Sequence, residues 1–147
     1  VGLSPDILIF GKKSQICGIM VNEKYSEAIN SQYRKLQVTF DGDLLDVIRA
    51  QYILKAIHEH NLLEAVKANS VIFKKELSPL FLNYRSSGHL IAFDFDNQGK
   101  RDDFVRKAYA NKLLVNPTND KSVRLRPSMA ISDNEMDVFF DKVSKLI

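Results

Sequence analysis

The chain has 147 residues, of which 45% are hydrophobic and 27% charged, with one cysteine, no tryptophan and a formal net charge of +3. That balance excludes a disordered or collagen-like chain, and no apolar run approaches the ~20 residues of a membrane span. The 21 basic residues are interleaved with 18 acidic ones, which points to a solvated mixed-charge surface and not to a nucleic-acid partner. Cys17 has no internal disulfide partner, so a reducing compartment, the cytoplasm, is the expected location.

The opening, Val1-Gly2-Leu3-Ser4-Pro5-Asp6, has neither a methionine nor a signal-peptide pattern. It reads as a chain entered midway. Ile7-Leu8-Ile9-Phe10, bounded by Pro5-Asp6 and Gly11, predicts a buried strand of the kind found in parallel sheets. Gly18-Ile19-Met20-Val21 predicts a second strand, and Gly11 to Cys17 a polar loop between them. A short helix is expected from Glu23 to Asn30. Asp43 is placed to cap a helix in which Leu44, Leu45, Val47, Ile48, Tyr52, Ile53 and Ile57 recur at helical spacing. Asn61 and Glu64 have the spacing of a capping box for a helix from Leu62 to Leu77, which Pro79 ends.

Beyond Ser78 the pattern changes. His89 to Phe95 is strand-like, Phe104, Val105, Ala108 and Tyr109 suit a short amphipathic helix, and Leu113-Leu114-Val115 is a strand candidate. Asn116 to Asp120, with Pro117 inside it, predicts a turn. Ser122 to Arg126 alternates: Val123 and Leu125 share one face, Arg124 and Arg126 the other. Ser132 and Glu135 form a capping box for a last helix with an apolar stripe of Met136, Phe139, Phe140 and Val143. The expected division is therefore residues 1–77, strand-loop-strand and long helices, and residues 78–147, a small α+β domain.

Three sets of residues can carry chemistry. Lys12 and Lys13 follow an apolar strand; a lysine at the end of a buried strand is partly desolvated, which favours its neutral, nucleophilic amine and imine formation. The alternative is a pair of solvated loop lysines. Arg124 and Arg126 can clamp a carboxylate through the planar guanidinium fork, or can be edge-strand arginines in surface ion pairs. Thr39 precedes a helix start and can offer its hydroxyl to a phosphate, or simply lead into the helix. His58, His60 and His89 have no metal-ligand spacing, and no metal is expected.

These segments together resemble a family. Pro5 to Lys12 is similar to the strand and loop around the Schiff-base lysine of class III, pyridoxal-phosphate-dependent aminotransferases. The fuller string Phe10-Gly11-Lys12-Lys13-Ser14-Gln15-Ile16-Cys17-Gly18 is closer to lysine 6-aminotransferases, with 4-aminobutyrate aminotransferases near behind. Gly88 to Asp94 resembles the first strand of their C-terminal domain, and Lys121 to Pro127 the strand with their carboxylate-binding arginine. Three motifs in order, spread over essentially the whole chain, are more specific than any one.

The resemblance implies an α/β fold: the C-terminal part of a fold-type I large domain, then a small α+β domain. It implies pyridoxal 5'-phosphate as cofactor and a homodimer with a shared active site. The implied reaction moves an ω-amino group of a lysine or 4-aminobutyrate type substrate to 2-oxoglutarate, with glutamate as product. Lys12 matches the lysine that carries the cofactor, with Lys13 one register away. Thr39 matches the threonine that reaches the cofactor phosphate of the neighbouring subunit, and Arg124 the arginine that binds the α-carboxylate. Arg126 is left to support the fold or pair with an acid. Thr39-Phe40-Asp41-Gly42 stands where the family has Thr-Trp-Gly-Gly, Arg85-Ser86-Ser87-Gly88 where an arginine-glycine pair is usual, and Ser128 follows Pro127 where a second proline is common. The family's ring-binding aspartate, stacking aromatic and glycine-rich phosphate turn lie upstream of the lysine, so a 147-residue piece alone is expected to be inactive. The other reading is a truncated or degenerate copy that acts only in assembly.

Overall fold

The computed structural model describes residues 4–31, 39 and 42–147. The chain divides into two compact units, Val1–His60 and Asn61–Ile147.

In the first unit, β1 (Ile7–Phe10) and β2 (Gly18–Val21) form an antiparallel ribbon with Ile7 opposite Val21 and Phe10 opposite Gly18. The expected parallel neighbour is not among the described residues, and the pairing within the ribbon is antiparallel. A short loop can close only an antiparallel pair, because a parallel one needs a crossover of about a dozen residues. The expected burial of β1 is corrected: Ile7, Leu8 and Ile9 are exposed, Ile9 by 77%. Gly18 is required by its cross-strand neighbour, since a Cβ there would lie 2.5 Å from Phe10 Cζ. The expected short helix begins as a 3₁₀ turn at Glu23–Tyr25 and continues as α1 (Ser26–Asn30). Asp43 caps α2 (Leu44–Glu59) as expected, accepting from the amides of Leu45 (2.9 Å) and Asp46 (3.1 Å). Its apolar stripe is largely exposed, with Leu44, Leu45 and Tyr52 open to solvent. Phe40, Asp41 and Val1-Gly2-Leu3 lie outside the described residues.

The second unit is an antiparallel sheet in the order β3-β4-β6-β5, from β3 (Leu82–Ser87), β4 (Leu90–Asp94), β5 (Asn116–Thr118) and β6 (Ser122–Leu125). One face is covered by residues of α3 (Leu62–Leu77), α4 (Gln98–Ala110) and α5 (Asp133–Ser144). The core joins Phe73 and Leu77 to Phe104 and Ala108, to Met136 and Val143, and to Ile91, Phe93, Val123 and Leu125 of the sheet. Helix α3, grouped by sequence with residues 1–77, thus places two fully buried side chains in the second unit's core. His89 is buried edge-on to Phe73, with ring centroids 5.7 Å apart.

Three local expectations change here. Asn61 has a left-handed backbone (φ 49°) and its side chain caps nothing, while Glu64 pairs instead with Lys67 at 2.6 Å. Strand β3 has no clear alternation and was not expected; its ladder is irregular between Leu82 and Arg85, and Asn83 has φ 48°. The strand before β6 is not Leu113-Leu114-Val115 but β5, inside the segment expected to be a turn. Pro117 is tolerated there because β5 is an edge strand. The α5 capping box forms as expected.

Candidate functional site

The sequence candidates fall into both units. In the first, Gly11 leads into a 3₁₀ turn at Lys12–Ser14, and a Cβ on Gly11 would meet Cys17 Sγ at 3.0 Å. Lys12 has φ 61°, the left-handed region that costs an L-residue about 1–2 kcal/mol. The turn around it is tied down. The Lys12 carbonyl accepts from the Gln15 amide (3.0 Å) and from Gln15 Nε2 (3.3 Å), and Ser14 Oγ donates to the Ile16 carbonyl (2.7 Å). A non-glycine residue held at such an angle belongs to the class of strained positions that cluster at functional sites. Lys12 is exposed, not shielded behind a buried strand, and has no ion-pair partner among the described residues. Lys13 shares the turn, with an ordinary backbone angle. Thr39 is exposed in a turn.

In the second unit, strand alternation separates Arg124 from its neighbours: Val123 and Leu125 are buried in the core and Arg124 is exposed on the opposite face. Strand β6 is interior to the sheet, and among the described residues neither arginine is in an ion pair. Arg126 lies one residue beyond β6 and is exposed.

The structure also builds a polar network that sequence reasoning missed. Arg85 donates to Asp94 Oδ1 (3.0 Å), to the Asn83 carbonyl (2.9 Å) and to Ser122 Oγ (3.2 Å). Ser122 Oγ donates to Asp94 Oδ1 (2.6 Å), and Asn83 Nδ2 to Asp94 Oδ2 (3.1 Å). The Ser122 hydrogen bond, helped by those from Asn83 and Arg85 and by the Arg85 charge, outweighs burial and lowers the Asp94 carboxyl from 3.8 to about 2. A shallow groove on this face is lined by Arg85, Ser86, Leu90, Ala92 and Arg124. The one available signal was Ser122, two residues before Arg124 and hence on its face. The partners on β3 and β4 depend on strand pairing. Among the described residues, no group of three or more His, Cys, Asp or Glu is placed to hold a metal ion.

The family model for class-III aminotransferases matches residues 1–147. The L-lysine-epsilon aminotransferase of Mycobacterium tuberculosis is 29% identical over 145 residues, covering 92% of this chain and 32% of that protein. The 4-aminobutyrate aminotransferase of Kluyveromyces lactis is 30% identical over 152 residues, covering 97% and 32%. The solved lysine aminotransferase from M. tuberculosis, described as the internal aldimine form, superposes with a TM-score of 0.90 at 28% identity over 99% of this chain and 36% of that one. The chain belongs to the class-III aminotransferases, and its α/β fold is theirs. It spans about a third of the length of these relatives.

Proposed function

We propose that the chain supplies part of the active site of a pyridoxal-phosphate-dependent aminotransferase that moves an ω-amino group from a lysine or 4-aminobutyrate type substrate to 2-oxoglutarate. The observation that carries this reading is the family match along the whole chain, to which Lys12 adds a lysine held in a tied-down, left-handed turn.

The residues present suit the cofactor by their chemistry. Lys12 offers an exposed amine with no competing acid among the described residues, and Thr39 an exposed hydroxyl suited to a phosphate oxygen. Pyridoxal phosphate, when bound, supplies the electron sink that lets the amine-bearing carbon lose a proton. Lys12 Nζ would hold the cofactor and, once free, would carry the proton away from and back to the reacting carbons, as base and then acid. Arg124 binds the α-carboxylate of 2-oxoglutarate or glutamate and fixes its orientation. The same proposal includes a cytoplasmic homodimer in which Thr39 serves the neighbouring subunit's cofactor; its support is the family resemblance. The division into residues 1–77 and 78–147 as large- and small-domain parts has the same support.

Full-length protein reconstituted with cofactor should show a visible absorption band, and borohydride should fix the cofactor to Lys12 in the peptide map. Lys12→Ala should abolish the band and transamination while leaving the circular dichroism unchanged. A full-length sample without the band would leave only the assembly reading. The isolated 147-residue chain should bind cofactor weakly and turn nothing over.

A further inference from the structure

The open face of the second unit's sheet carries more charge than a single carboxylate-binding arginine needs. Register places Arg85, Ala92, Arg124 and Asn116 on one rung across β3, β4, β6 and β5. Residues on one rung share a face, so both arginines lie on the open side, two strand spacings or about 9.6 Å apart at Cα. Between them stands only the small side chain of Ala92, and both arginines line the same groove.

Arg85 does not project freely from its rung. Its guanidinium leans across β4 to Asp94 and on to Ser122 of β6, at 3.0 and 3.2 Å. Ser122 is two residues from Arg124 on the same strand face. The anchored guanidinium therefore lies one side-chain position from Arg124. Asp94 is fixed in turn by Ser122 and Asn83. Its low-lying acidity keeps it ionised at any ordinary assay pH. Among Arg85, Asp94 and Arg124, two guanidinium groups and one carboxylate leave one uncompensated positive charge. The hydrogen bonds decide where it resides: Arg85 is paired, and Arg124 has no hydrogen-bond or ion-pair partner among the described residues.

We propose that Arg85 and Asp94 are positioning residues that set the anion affinity of the site at Arg124. Arg85 adds attraction for a carboxylate, Asp94 offsets it, and Ser122 and Asn83 hold both charges in place. The proposal rests on the reading of Arg124 as the residue that binds the dicarboxylate.

A structural role and this electrostatic role make different predictions. Arg85→Gln and Asp94→Asn both break the same network, so a purely structural network predicts changes in the same direction. The electrostatic role predicts opposite directions. Arg85→Gln leaves the Asp94 charge facing Arg124, and Asp94→Asn leaves the Arg85 charge beside it. One unit charge at this separation near a protein surface changes anion binding about two- to five-fold.

The test is steady-state kinetics on the full-length enzyme with cofactor, reading KM for 2-oxoglutarate, kcat of the half-reaction with the amine donor, and melting temperature. Arg85→Gln should raise KM about two- to five-fold and Asp94→Asn lower it by a similar factor. Donor kcat should stay unchanged, and both effects should shrink at high salt. Arg85→Lys, which keeps the charge, should hold KM near the parent value. If Asp94→Asn does not fold, the contrast of Arg85→Gln with Arg85→Lys carries the test. Arg124→Gln is the control. If it raises KM while the network variants move KM in one direction or not at all, the proposal is overturned and the reading of Arg124 stands. If Arg124→Gln leaves KM unchanged, that reading falls and the proposal with it.

Discussion

The two units use similar apolar strands and helices and bury them to very different extents. In the second unit Phe73, Leu77 and Val123 are closed off from solvent completely. In the first, Ala50 is the buried hydrophobic residue among those described, while Ile9, Leu45 and Tyr52 are each more than two-thirds exposed. Layering is the reason. A four-stranded sheet under three helices encloses a core, whereas a two-stranded ribbon, with no second layer over it among the described residues, is marginal in water. The contrast divides the chemistry as well. Arg124 rises from a sheet whose back is packed, and Lys12 sits on a ribbon whose apolar faces are open in this chain.

This contrast can be broken by measurement. Phe73→Ala should destabilise the second unit by about 3–5 kcal/mol in urea unfolding, because it removes a fully buried ring touching His89, Phe139 and Phe140. A loss below about 1 kcal/mol would mean the core is loosely packed. Acid should produce a smaller effect in the same unit. The Asp94 carboxyl titrates lower folded, at about 2, than its ordinary 3.8. Its stabilisation is therefore complete above that ordinary value and is lost as pH falls through the folded one. The loss amounts to about 2 kcal/mol between roughly pH 4 and pH 2, and it should vanish in Asp94→Asn. The smallest change should come from the first unit. Ile9→Ala in the 147-residue chain should cost less than about 0.5 kcal/mol, because the side chain is 77% exposed. A cost above about 1 kcal/mol would show that another surface covers the ribbon.

Capping illustrates how far local sequence reaches. Ser132 and Glu135 close a capping box, and Asn61 and Glu64, at the same spacing, do not. Ser132 has the extended backbone that aims its hydroxyl at the Glu135 amide, whereas Asn61, two residues past the end of α2, is left-handed. Strand β3 escaped detection because its irregular ladder and the positive φ of Asn83 break the period-2 signal. Strand β5 escaped because Pro117 reads as a breaker unless the strand is known to lie at an edge. Of the candidate site, Lys12, Thr39 and Arg124 were legible by motif. The Arg85–Asp94–Ser122 network was not, since its members lie 9, 28 and 37 residues apart and meet only through strand pairing.

The sequence by itself determined most helix positions, the Asp43 and Ser132 caps, and the alternation that sends Val123 and Leu125 one way and Arg124 the other. These depend on neighbours within about four residues, where backbone geometry leaves few choices. Tertiary structure decided the direction of β1, the identity of the edge strand, and which arginine is neutralised. Those outcomes depend on which strands pair and which faces are covered. On one rung of the sheet, pairing gave Arg85 an aspartate and left Arg124 without a partner among the described residues.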